Sequence, residues 1–230
     1  MPGRWLRGRW QRTFRLVIDP FADIADEAPE DGPAMRSRLL ADAKRGFAPI
    51  RKVFVQRPNT ERVRRSLLAD LVTGRQERPL DAFLLLHAIE PVLDGSPLPL
   101  SSWAKMLSRR STPCTSNTAS RALDVLAEMN LVLREQVGRR VVITPLLEDG
   151  SGNRWVRPGR DAASVGPGYF TIPYDYWTSD LVDQLTLPGK AMLLILLAET
   201  SQKPSFAMAI ERAQEWYGIS ERTAERGFQQ

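Results

Sequence analysis

The 230-residue chain has one cysteine, Cys114, and one histidine, His87. A single cysteine excludes an intrachain disulfide. One cysteine and one histidine together argue against a zinc site, which draws most of its four ligands from these two residue types. No metal and no cofactor are expected. Long apolar runs are also missing. The longest, Ala191 to Ala198, falls well short of the roughly 20 residues that span a bilayer, so no membrane partner is expected. The first residues carry arginines but no continuous apolar stretch, which is not the pattern of a secretory signal. The expected location is the cytoplasm, associated with the nucleoid. Glycine-rich phosphate loops are absent: Gly150-Ser151-Gly152 and Gly166-Pro167-Gly168 lack the lysine and the following helix that such a loop needs. His87 lies in an apolar stretch and reads as a packed core residue. Cys114 follows Pro113 with no histidine nearby in sequence, so no nucleophile is suggested. The chain is read as a binding protein and not as an enzyme.

Lysine is scarce as well, 5 against 27 arginines. The imbalance is read mainly as a coding bias toward arginine. The distribution of charge says more. Residues 32–79 carry 12 basic and 4 acidic side chains, a balance of +8, whereas residues 166–230 carry 5 and 8, a balance of −3.

Two strings 105 residues apart share the form Thr-Ala-x-Arg-small-apolar: Thr118 to Leu123 and Thr223 to Phe228. Each is preceded at three residues' distance by a hydroxyl residue, Thr115 and Ser220. A hydroxyl there accepts a hydrogen bond from an otherwise orphaned N–H in the first helical turn. Both strings therefore predict capped helices whose first turns are short, polar and tipped with arginine, a surface that suits a DNA groove.

The rest of the chain divides around these strings. Residues 1–32 read as a tail, with arginines interleaved with Trp5, Trp10 and Phe14, then an acidic stretch. Residues 33–79 read as a basic helical segment. It holds a helix over 34–46, a strand over 50–56, and a helix from Asn59 or Thr60 to Val72 with Val63, Leu67 and Leu71 on its apolar stripe. Residues 80–147 are the first clear unit. An apolar helix runs from Leu80 to about Leu93, kinked or cut short by Pro91. A short edge strand follows at Leu98-Pro99-Leu100, then a helix capped by Ser101 or Ser102. The Thr115 helix comes next, and a hairpin over 131–144 turns at Gly138-Arg139-Arg140. Residues 148–168 have linker composition. In residues 169–230, a strand at Tyr169 to Pro173 opens a second unit. The apolar helix from Thr186 to Ala198, an edge strand at Phe206-Ala207-Met208, a helix from Ile210 to Tyr217, the Gly218 turn and the Ser220 helix complete it.

Helix, short strand, helix, turn, helix, hairpin is the order of a winged helix-turn-helix domain. In the second unit, Ala213 to Thr223 resembles the helix-turn-helix spacing: a small residue, a bulky apolar one, Gly218 in the turn, Ile219, then the Ser220 cap. In the first unit, Thr115 to Val132 resembles the recognition helix and the strand after it. The turn departs from the pattern, with seven residues between Leu107 and Thr115 and no glycine. The second unit is read as lacking a wing. The resemblance implies a mainly α fold with small β-hairpins, an α+β class with two winged-helix-like units. It is similar to plasmid-type replication initiators and to bacterial and phage regulators.

A transcriptional regulator that reads double-stranded DNA is the expected function, with a replication initiator as the alternative. A winged-helix module for protein–protein contact, touching no nucleic acid, is the reading of another class. In this fold the recognition helix enters the major groove by its N-terminal turns, which implies DNA contacts from Thr115, Ser116, Asn117, Ser120 and Arg121. Arg139 and Arg140 would reach backbone or minor groove from the hairpin. Arg109 and Arg110 would lie near phosphate in the turn, and Arg62 and Arg65 could add phosphate contacts. The second helix offers Ser220, Arg222, Thr223 and Arg226. Its acidic surroundings suggest a division of labour: the first unit reads DNA, while the second packs against a protein partner or a second copy in a homodimer.

Overall fold

The computed structural model describes residues 31–57, 65–159 and 168–230. The readings of the first 30 residues, of Arg62 and of Gly166-Pro167 lie outside the described residues. Among those described, the fold is mixed α+β, dominated by helices, with one two-stranded and one three-stranded antiparallel sheet. Asp31–Gln230 form one compact unit.

Helix α1 spans Gly32–Ala43. It starts where it does because the Asp31 carboxylate accepts the Ala34 N–H at 2.8 Å. An added Cβ at Gly32 would collide with the Lys105 carbonyl, so the helix start is seated against its neighbour instead of belonging to a tail. Strand β1 is Phe47–Arg51, followed by a tight 3-10 turn at Lys52–Phe54. The strand thus lies earlier than the expected 50–56. Helix α2 is Leu67–Thr73. Ser66, extended at φ −89 and ψ 166, caps it, its side chain accepting the Ala69 N–H, and the expected start at Asn59 or Thr60 lies outside the described residues. Leu67 and Leu71 are buried as expected, and Val63 lies outside the described residues.

Helix α3, Glu77–Leu93, is the central core element, with Leu80, Ala82, Phe83, Ala88 and Ile89 all fully buried. It passes through Pro91 without ending. Proline removes the N–H that would bond the carbonyl of His87 four residues back. Arg45 supplies a replacement, donating to the His87 carbonyl at 3.3 Å and pairing with Glu90 at 2.7 Å. The neighbouring Ala88 carbonyl accepts from the Tyr174 hydroxyl at 2.9 Å.

Strand β2 (Leu98–Pro99) leads directly into helix α4 (Leu100–Leu107), so neither Ser101 nor Ser102 is its cap. Helix α5 is Ser116–Glu128, and strands β3 (Val132–Val137) and β4 (Arg140–Pro145) form the expected hairpin. The three strands order as β2-β4-β3. Leu98 faces Val141, and Val137 faces Arg140 beside the tip.

The expected linker is partly core. Glu148 is fully buried and accepts from the Arg51 guanidinium (2.8 Å), the Arg51 backbone N–H (3.2 Å) and the Trp155 indole (3.2 Å). Arg51 donates onward to the Val156 carbonyl at 2.5 Å. A buried carboxylate persists only when its oxygens are filled in this way, so 148–156 is packed down and does not hang free. Strand β5, Tyr169–Pro173, pairs antiparallel with β1, Phe47 opposite Pro173 and Arg51 opposite Tyr169. It does not begin a separate unit but closes a sheet with the basic segment.

Two short helices follow, α6 (Asp175–Thr178) and α7 (Leu181–Gln184), and then α8 (Leu187–Thr200). Phe206-Ala207-Met208 forms no strand. Phe206 instead sets its ring 6.5 Å from that of Trp216. A 3-10 turn at Ile210–Arg212, helix α9 (Ala213–Tyr217), Gly218 and helix α10 (Glu221–Phe228) complete the chain. Gly218 has φ +73, a left-handed conformation that glycine adopts without steric cost. Helices α8 and α10 cross closely at Gly227, where an added Cβ would lie 2.5 Å from the Pro188 carbonyl oxygen.

Candidate nucleic-acid interface

The Thr115 cap forms as the spacing predicts: Thr115 has φ −90 and ψ 161, and its hydroxyl accepts the Thr118 N–H at 3.2 Å. The helix buries Ala119, Ala122, Leu123 and Leu126. Three- and four-residue spacing puts these on one face and leaves the opposite face to polar residues. Thr115, Ser116, Asn117, Thr118 and Arg121 are exposed. Arg121 has no ion-pair partner among the described residues, so its guanidinium is available to a ligand.

Ser120 is not available in the same way. Arg134 on β3 donates to its hydroxyl at 3.0 Å and to its carbonyl at 3.1 Å, and also pairs with Asp124. The sequence set Ser120 among the base readers. The fold uses it to fix the hairpin against α5. At the hairpin tip Gly138 has φ +60, and Arg139 and Arg140 are exposed. These two arginines and the first turns of α5 belong to one sheet-and-helix frame, joined by Arg134.

The turn from α4 to α5, which holds no glycine, is fixed by side-chain donors. The carbonyls at a helix C-terminus need donors. Arg36 of α1 donates to Met106 at 3.1 Å and Ser108 at 2.7 Å, while Arg78 of α3 donates to Leu107 and, at 3.0 Å, to Thr112. The Ser108 hydroxyl donates to Ala104 and accepts the Cys114 N–H, both at 2.9 Å. Side-chain donors from two other helices thus do the work a glycine does in a tighter turn.

Arg109 and Arg110 of that turn have different fates. Arg110 is 70% exposed and meets Asp180 at 2.8 Å. Arg109 is only 14% exposed and turns inward, 2.6 Å from both Asp81 and Glu77. The fully buried Lys190 of α8 completes the cluster, 2.5 Å from Asp81 and 3.3 Å from Glu77. Burial raises the pKa of Glu77, but hydrogen bonds and charge from Arg109 and Lys190 outweigh it and hold the carboxyl below its ordinary value. For Arg109, burial opposes the charge, and the Asp81 and Glu77 carboxylates more than restore it. An arginine so placed does not reach phosphate. It ties the turn before α5 to α8.

The second candidate helix forms with its own cap, the Ser220 hydroxyl accepting the Thr223 N–H at 3.3 Å. Ile219 is buried, as a residue plugging the angle between α9 and α10 must be, and Ala224 and Gly227 face α8. Arg222 and Arg226 are exposed, and Thr223 is half-buried. Arg65 stands not beside α5 but by the turn before α10: an added Cβ at Gly218 would lie 3.2 Å from its Cα. Its guanidinium pairs with Asp70.

Comparison with protein-family models, with curated proteins and with solved structures gives no match. Among the described residues, no helix is long and apolar enough to cross a membrane, and no group of three or more His, Cys, Asp or Glu is placed to hold a metal ion.

The residues the sequence did not single out are Arg36, Arg78, Arg134 and Lys190. Each acts across ten positions or more, and local spacing carries no signal for such a contact.

Proposed function

We propose that this chain binds double-stranded DNA sequence-specifically as a winged helix-turn-helix protein and acts as a transcriptional regulator. The observation that carries the reading is the joint display of Asn117, Arg121 and Arg139. The first two lie exposed on the opening turns of α5, and the third at the tip of the hairpin that Arg134 fastens to that helix. The order α3, β2, α4, α5, β3, β4 with sheet order β2-β4-β3 is the frame on which such a helix enters the major groove. Asn pairs with adenine and Arg with guanine, each good bidentate contact contributing about 1–3 kcal/mol of discrimination. Thr115 and Ser116 stand at the end of α5 where a phosphate would approach.

The test is a salt titration of duplex binding by fluorescence anisotropy. Phosphate contacts make affinity fall steeply with salt. The expected result is a steep slope in the wild type, with a loss of selected-site preference in Arg121→Ala and a shallower slope in Arg139→Ala. Binding that ignores salt, or affinity unchanged in both variants, would refute the reading in favour of a protein–protein module.

Plasmid-type replication initiation is the second reading. It is favoured by the second helix-turn-helix, α9 to α10, within the same compact unit. A genome-wide map of bound DNA separates the two, by clustering at promoters or at one origin.

A further inference from the structure

Along the chain, α10 sits in a segment with a charge balance of −3. In space one flank of it also meets part of the basic segment. Gln56 donates to the Trp216 carbonyl of α9 at 3.0 Å, and Gly218, in the turn before α10, abuts Arg65 and Ala69 at the start of α2. This brings two arginines of the basic segment to the flank of α10. One is Arg65. The other is Arg75, held at φ +54 in the turn between α2 and α3. Together with Arg226 they line a groove of about 640 Å³, Arg65 with its guanidinium already paired to Asp70. Ser220, Thr223 and Arg226 recur every three residues and share that flank, as one helix face requires. Glu221 and Glu225 do not line it. The one carboxylate that does, Glu77, is already held by Arg109 and Lys190. Arg75 and Arg226 are exposed and have no ion-pair partner among the described residues.

We propose that this groove takes the sugar–phosphate backbone of duplex DNA, so that α10 is a second reading helix and not a partner-docking element. Arginine suits the role because its planar fork meets phosphate oxygens bidentately. Thr223 adds a hydroxyl beside them. The residues of α10 turned away from the groove, Arg222 and Glu225, are left to face base edges. The proposal rests on the reading that the chain binds duplex DNA.

The experiment compares Arg75→Ala/Arg226→Ala with Arg121→Ala/Arg139→Ala and wild type on a random duplex of about three helical turns. Anisotropy is followed from about 50 to about 200 mM salt. All four arginines are exposed, and thermal melts check that both variants stay folded. Loss of two phosphate contacts in the groove variant lowers the log–log salt slope by about 1.8 and weakens binding at low salt about tenfold or more. A groove variant with the wild-type slope, beside an α5–hairpin variant that loses its share, overturns the groove and leaves the DNA reading standing. A wild type whose duplex binding does not respond to salt overturns both. A groove variant with unchanged slope but altered sedimentation mass assigns the surface to a second copy and overturns the proposal.

Discussion

His87 gives the protein a pH limit that can be worked out from its surroundings. The side chain is fully buried, its ring 4.6 Å from Phe83 and 5.3 Å from Trp155, and neither ring nitrogen has a hydrogen-bond partner among the described residues. Burial opposes the imidazolium, and the Arg51 and Arg45 charges add to that against the opposing pull of Glu148, bringing the pKa from 6.5 to about 4. In the unfolded chain the imidazole takes a proton below about pH 6.5. Between that value and 4 the unfolded state therefore binds more protons than the folded one, so stability falls as pH falls through this window. At about 1.4 kcal/mol per pH unit, the whole interval is worth about 3 kcal/mol, of which about 2 kcal/mol is lost between pH 7 and pH 5. Above pH 7 the group contributes no further dependence. The assay is urea denaturation at pH 7 and pH 5 on wild type and His87→Met, a change of similar volume that cannot titrate. The wild type should lose about 2 kcal/mol more than the variant over this interval. Parallel losses in the two proteins, or an NMR titration placing His87 near its ordinary value, would refute the reasoning.

Two further predictions concern the core. Arg45→Met should destabilise the fold by about 1–3 kcal/mol, since it strands the carbonyl freed by Pro91. Adding Pro91→Ala should recover about 1 kcal/mol by restoring a helical N–H, and a double-mutant cycle in denaturant reads that coupling. Lys190→Met should cost about 3–5 kcal/mol because it leaves Asp81 buried beside one cation in place of two. A thermal melt like that of wild type would show that Arg109 alone satisfies the carboxylate.

The elements a reader can recover from sequence are those set by short-range chemistry. Thr115 and Ser220 cap their helices because a hydroxyl three residues before a backbone N–H is a local device. The hairpin and the Gly218 turn follow from alternation and from one glycine. What local chemistry does not supply at Pro91 is the donor for the carbonyl it frees: that donor is Arg45, more than forty positions away. The composition of 148–156 says linker, yet Glu148 and Trp155 are core because Arg51 lies across from them. The candidate site divides along the same line. Arg121 and Arg139 are exposed where the pattern puts them. Arg109 is drawn inward by Asp81 and Glu77, Ser120 is claimed by Arg134, and Arg65 belongs with α10.

The pairing of β1 with β5 also orders events at the ribosome. Residues 47–51 leave the exit tunnel long before residues 169–173, and the whole of α3 to β4 is synthesised in between. Ala48 and Ile50, fully covered in the finished protein, wait through that interval with no strand to pair with. The closing of this sheet is thus a late, long-range step, and translation arrested before residue 169 leaves β1 as an unpaired edge open to association with other nascent chains.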